Sequence, residues 1–286
     1  MQNNPLKRTP LIFKTALLAA FGALLFLPFV ITPPVKVIPE VIPPVVEIEP
    51  VKVPIKKIET YVPVHEVTLP DFAAISDIKT KKSQFFAFLT PHIDAENARL
   101  LAQRIWLIAV QKQYNEQLQL AAEDEKALNA LYKLYRINFQ TMSTQKGLRE
   151  LLQSIDQLPK TLVLMQAANE SAWGTSRFAR LGLNFFGEWC YVKDCGVIPN
   201  GRPVGMAYEV KAFMSVSLSV KSYFKNINTN NAYRLLREIR AQFRENDLPL
   251  QAKVLATGLI QYSSRGDHYV NEISQMINYN AKFVAD

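Results

Sequence analysis

Glycine is scarce in this 286-residue chain: there are 10, and neither a GxGxxG nor a GxxxxGK[ST] stretch occurs. The common phosphate-cradling nucleotide folds are therefore not encoded. Cysteine and histidine are scarcer still, at 2 and 3. His65, His92 and His268 lie far apart and none stands in HExxH spacing, which argues against a zinc-dependent hydrolase. No metal or other cofactor is expected. Acids are also short, for a net charge of +8, but Lys7, Arg8 and Lys14 carry three of those charges within an N-terminal stretch that holds no acid. The remainder lacks the basic stripe interleaved with aromatics that a nucleic-acid surface shows. Its nearest equivalent is Arg234, Arg237, Arg240 and Arg244 at helical spacing, read as a solvated helix face or a contact for an anionic ligand. No nucleic-acid partner is expected.

What is present divides the chain. Residues 1–10 form a basic leader, and residues 11–32 hold the apolar run ALLAAFGALLFLPFVI. With a snorkelling Lys14 that run is long enough to span a bilayer. The positive flank places the N-terminus in the cytoplasm, and the absence of a small-x-small cleavage pattern favours an uncleaved signal anchor in an inner membrane. Nine of the 17 prolines fall between residues 33 and 70, in repeats such as PPVKVIPEVIPP. Residues 33–68 thus read as an extended periplasmic linker. Residues 69–138 read as an accessory helical region without visible chemistry. Asp94 is taken as the N-cap of a long helix over 95–120, and a second helix over about 123–137 carries Leu128, Leu131 and Tyr135 on one face. Residues 139–286 form the region expected to do chemistry.

Pro159 opens a helix through TLVLMQAANESAW that Gly174 should stop. Glu170 shares a face there with Val163, Gln166, Ala167 and Trp173. A carboxyl beside an indole at the negative end of a helix dipole is desolvated and electrostatically disfavoured as an anion, so its pKa rises. That is the state a general acid needs. The alternative is a surface glutamate near a helix end.

The stretch AANESAWGTSRFA at 167–179, with LNFFG at 183–187, resembles the bacterial glucosaminidase family of peptidoglycan hydrolases. In that family an ESxWG-type helix end carries the acid glutamate and an NLFG-type turn follows it. The resemblance extends over residues 69–286. It implies an α+β, mostly helical, lysozyme-like fold with a small β-hairpin lobe and an N-terminal helical extension. Pro199-Asn200-Gly201 fits a turn between strand-like stretches 189–198 and 206–213, and Ser215 fits the cap of a helix carrying Val216, Val220, Phe224 and Ile227.

The family places a second carboxylate on the hairpin near a TTEY-like stretch that this chain lacks. Glu188, Asp194 and Glu209 are the candidates, and Glu209, in YEVKAF, ranks first. A substrate-assisted route through the sugar's N-acetyl group would need none. The resemblance further implies that Tyr262 positions the N-acetyl group or a water. Trp173, Asn184, Phe186 and Trp189 are candidates for contacting sugar, with core packing as the alternative for the aromatics. Cys190 and Cys195 are expected to form a disulfide in an oxidising compartment.

The expected function is a membrane-anchored hydrolase of peptidoglycan glycan strands, cleaving the β-1,4 bond after N-acetylglucosamine with Glu170 as proton donor. A lytic transglycosylase on the same fold and a non-catalytic wall-binding protein are the alternatives.

Overall fold

The computed structural model describes residues 65–284. The expected leader, anchor and linker up to residue 64 lie outside the described residues. Among the described residues no helix is long and apolar enough to cross a membrane.

Helix α1 (Ile78–Gln117) starts where the Asp77 carboxylate accepts the Thr80 N–H at 2.7 Å, and it ends at Leu118 in the left-handed region. It runs straight through Pro91, so Asp94 caps nothing. Asp94 lies inside the helix and pairs with Lys160 at 3.1 Å. Proline removes one intrahelical bond and crowds the preceding turn. The apolar row Phe85, Phe86, Leu89, Ile93, Leu100 and Leu107 continues across it into the core, and that burial outweighs the local cost. Helix α2 (Ala122–Leu134) follows and ends short of the expected residue 137; it buries Leu128 and Leu131, and Tyr135, also buried, is its C-cap.

Helices α3 (Thr144–Ser154), α4 (Lys160–Glu170) and α5 (Arg177–Gly182) come next. Helix α4 is the central one, buried at every position from Thr161 to Ala168, with α1 packed on it. Three short strands follow: β1 (Trp189–Cys190), β2 (Gly196–Val197) and β3 (Glu209–Lys211). The stretch 189–198 is not one strand of a hairpin. It doubles back so that β1 and β2 flank β3, both antiparallel, with Cys190 opposite Glu209 and Val197 opposite Val210.

Helix α6 (Val216–Thr229) is capped by Ser215 and buries the predicted face Val216, Val220, Phe224 and Ile227. Helices α7 (Arg234–Glu245), α8 (Ala252–Ala256) and α9 (Asp267–Asn280) complete the molecule. One apolar core extends from Phe72 to Ile277, and it passes across residue 138 without a break.

The arginine row on α7 divides: Arg234 lies in solvent 3.4 Å from Glu238, whereas Arg237 and Arg240 are buried. Arg240 is fully buried, and its guanidinium donates to the carbonyls of Gln153, Ser154, Asp156 and Gln157 at the end of α3. Arg237 does the same for Ile227 and Asn230 at the end of α6. Carbonyls at a helix C-terminus have no partner within the helix, and these two side chains supply them. Helical spacing located the row correctly, but the carbonyls that Arg240 serves lie 83 to 87 residues away and leave no local signal.

Candidate active site

Helix α4 is partly exposed at Lys160 and surfaces again at its last turn, where Glu170 enters a cavity of about 670 Å³. The helix stops at Glu170, four residues before Gly174. The Ser171 hydroxyl donates to the Ala167 carbonyl at 2.6 Å and accepts the Gly174 N–H at 2.8 Å. Ala172, Trp173 and Gly174 then take left-handed φ values of 50°, 58° and 78°. Only glycine suits position 174, since a Cβ there would sit 2.5 Å from the Phe72 ring.

This turn carries Trp173 away from the helix face it was expected to share with Glu170. The indole packs on Phe85 and Phe86, with Lys82 5.0 Å from its centroid, and it does not line the cavity. The rings beside Glu170 in the cavity wall belong instead to Phe186, Tyr233 and Tyr262.

A chain of buried polar groups leads to the carboxyl. Tyr223 donates its hydroxyl to Gln166 Oε1 at 2.6 Å, and Gln166 Nε2 donates to the Tyr269 oxygen at 2.9 Å. The Tyr269 proton is then left for the Glu170 carboxylate, to which it is hydrogen-bonded. Burial pushes the Glu170 carboxyl above the usual glutamate range, against the Tyr269 hydrogen bond and the Arg265 charge, which pull it down.

Tyr262 also lines the cavity, stacked on Tyr269 at 5.3 Å, but its own proton goes to the Phe186 carbonyl at 2.8 Å. Phe186 is stacked on Tyr223 at 4.1 Å and offers the cavity little surface. Trp189 is 48% exposed, lines the cavity and stands edge-on to Tyr208, so it is the candidate best placed to stack on a ring.

Asn184 is buried under the turn and away from the cavity. Its Nδ2 donates to the carbonyls of Glu188 and Lys211, both at 2.8 Å, and its Oδ1 accepts the N–H groups of Phe186 and Glu188. All of its hydrogen-bonding capacity is spent on holding the turn.

Glu209, ranked first for the second carboxylate, is 1% exposed and lies within the sheet rather than at the cavity. It accepts the N–H groups of Asp194 and Gly196 and is 3.4 Å from Arg202. Its register opposite Cys190 turns it into the disulfide loop, where it satisfies the amides. Asp194 also stays off the cavity wall, whereas Glu188 lines it.

The Cys190–Cys195 disulfide is formed. Among the described residues, the one cluster with ligand atoms close enough for a metal is Cys190, Cys195 and Glu209, and both of its sulfurs are joined in that bond.

Sequence reasoning passed over Tyr269, although it lies in the same YSSRGDHYV stretch as Tyr262, because nothing local ranks one phenol above the other. It also passed over Arg136 and Lys225. Arg136 follows α2 with a left-handed φ of 59°, and it reaches the cavity from the region read as carrying no chemistry.

The sequence model of the family described as mannosyl-glycoprotein endo-beta-N-acetylglucosaminidase matches residues 146–282. The chain is 33% identical over 218 residues to "Protein bax" of Escherichia coli (strain K12), covering 76% of each chain. No solved structure matches.

Proposed function

The chain belongs to the glucosaminidase family, and on that premise we propose that it hydrolyses the β-1,4 bond after N-acetylglucosamine in peptidoglycan, with Glu170 as the proton donor. The observation that carries this reading is the Glu170 carboxyl itself. It enters a cavity of glycan-binding size, has its pKa raised by burial, and is held by the Tyr223–Gln166–Tyr269 chain. In the reaction the Glu170 proton passes to the bridging oxygen as its bond to the anomeric carbon breaks, and a water oxygen takes its place on that carbon. The basic leader and apolar run at 11–32 would hold this domain on the periplasmic face of the inner membrane, where the polymer lies.

Incubating the full chain with purified sacculi and identifying the released fragments by mass spectrometry tests the reading. Fragments with reducing N-acetylglucosamine ends are expected. Anhydro-muramic ends would make the protein a lytic transglycosylase, and binding without release would remove the hydrolase reading altogether.

Charge in the cavity supports a wall polymer over a neutral glycan. Arg136 and Lys225 line it, are exposed, and have no carboxylate partner among the described residues. They suit the carboxylates of peptide-bearing strands. Exposed charges of this kind contribute up to about 1 kcal/mol each. The Arg136→Gln/Lys225→Gln double variant should therefore raise KM for sacculi roughly 5- to 10-fold with kcat unchanged. Inhibition by a neutral N-acetylglucosamine oligomer should not move, and an equal loss toward both glycans would refute the assignment.

A further inference from the structure

Two carboxylates line the cavity among the described residues, Glu170 and Glu188. Glu188 follows directly on Gly187, whose backbone faces the acid so closely that a Cβ on it would lie 3.5 Å from Glu170 Oε2. Glu170 and Glu188 therefore line one cavity, with Gly187 between them in its wall.

Glu188 is held more firmly than a loop residue needs to be. Asn184 grips both its N–H, at 3.1 Å, and its carbonyl, at 2.8 Å, and the Lys211 N–H donates to that carbonyl at 2.9 Å. Its side chain is fixed as well. Lys211 Nζ donates to the Ser222 hydroxyl at 2.9 Å, the hydroxyl donates to Glu188 Oε2 at 2.7 Å, and the ammonium itself stands 3.8 Å from that oxygen. The other oxygen, Oε1, is buried and has no hydrogen-bond partner among the described residues. A buried carboxylate oxygen without a donor is costly, and burial accordingly raises the affinity of the Glu188 carboxylate for a proton.

We propose that Glu188 is the second carboxylate of the site and that its carboxylate takes the proton of the attacking water. This rests on Glu170 being the acid. The water oxygen bonds to the anomeric carbon, and one of its protons goes to the Glu188 carboxylate. The bond from that carbon to the bridging oxygen breaks, and the Glu170 proton goes to the departing oxygen. The two carboxyls finish with exchanged protonation, and solvent restores them. Attack from the face opposite the leaving group inverts the anomeric centre. Glu209, bonded to the amides of the disulfide loop, has no part in this.

A purely structural role would make the Lys211–Ser222–Glu188 set a tie between the sheet and α6. The test separates the two roles. Glu188→Ala and Glu188→Gln in the full chain are compared with wild type on sacculi, with and without sodium azide, alongside thermal unfolding. Both variants should lose about 10²-fold or more in kcat with little change in KM. Azide should restore the alanine variant by supplying an anion that needs no base, and the product should be a glycosyl azide detectable by mass. Wild type should release the α-anomer first, read by NMR. Turnover within a few-fold of wild type in the glutamine variant, or a loss in both variants that azide leaves untouched, would overturn the proposal while leaving Glu170 as the acid. A wild-type protein that cuts nothing would overturn both.

Discussion

Glu170→Gln is expected to lower the rate of glycan release from sacculi by about 10³-fold, within the range by which a positioned acid accelerates bond cleavage. Binding to sacculi should be unchanged. Glutamine keeps the shape and still offers an oxygen to the Tyr269 hydroxyl, so the chain from Tyr223 through Gln166 survives. What it loses is an acidic proton for the leaving oxygen.

The stability of this variant should move the other way. A carboxyl whose pKa is raised by folding contributes stability below its unfolded value and loses it as pH rises through the folded value. Glu170 is such a group, raised chiefly by burial. At neutral pH the variant should therefore unfold at the same temperature as wild type or higher, and any gain should vanish in acid. The alkaline limb of the wild-type rate profile, set by loss of the Glu170 proton, should be missing from the residual activity of the variant. Activity near wild type would remove Glu170 from the chemistry.

Glu170 was legible because it stands in a motif with a definite residue order and because its helix is marked by a run of apolar residues. The faces of α2 and α6 were legible for the same reason, since periodicity reports which side of a helix is buried. The end of α4 was not. Ser171 turns its hydroxyl back on the helix and two ordinary residues, Ala172 and Trp173, accept left-handed backbone, so the stop came before the glycine that seemed to mark it. That error carried Trp173 into the cleft when it belongs with Phe85 and Phe86.

The placement of Glu209 away from the cavity was hidden for a related reason. Alternation along a strand does not say which acid will meet the free amides of a loop closed by a disulfide, and Glu209 meets them. Asn184 was a candidate for contacting sugar, but it is spent on the backbone around it. Its four hydrogen bonds to the turn become visible only once residues 184 to 211 are folded together.

Asp156→Asn should cost about 3–5 kcal/mol in chemical denaturation, the usual loss when one partner of a buried ionic network is neutralised. That is a large share of the roughly 5–15 kcal/mol by which a domain is stable. Asp156 is 1% exposed and answers three guanidinium groups, those of Arg104 at 3.3 Å, Arg240 at 3.9 Å and Arg244 at 2.8 Å. Burial drives the pKa of Arg240 down to about 10 even with this carboxylate beside it. Without the negative charge, three cations would share a dry site, and Arg240 could no longer hold the carbonyls at the end of α3 without that repulsion.

Burial alone would raise the Asp156 pKa, but the three arginines bring it below the usual aspartate value. Its sign is thus opposite to that of Glu170. The stability it supplies is present above the unfolded pKa and is lost as pH falls through the folded one. Wild type should weaken in acid over that interval, and the variant should lose that part of its acid sensitivity. A loss below about 1 kcal/mol would mean that the carbonyl contacts of Arg240 suffice without the charge. The consequence reaches the cleft because residues 155–159 join α3 to the start of α4, and the far end of α4 carries Glu170. Where the variant stays folded, a misplaced α4 should reduce kcat while KM for sacculi holds, since the acid would be displaced while the cleft wall built on α6 and the sheet remained in place.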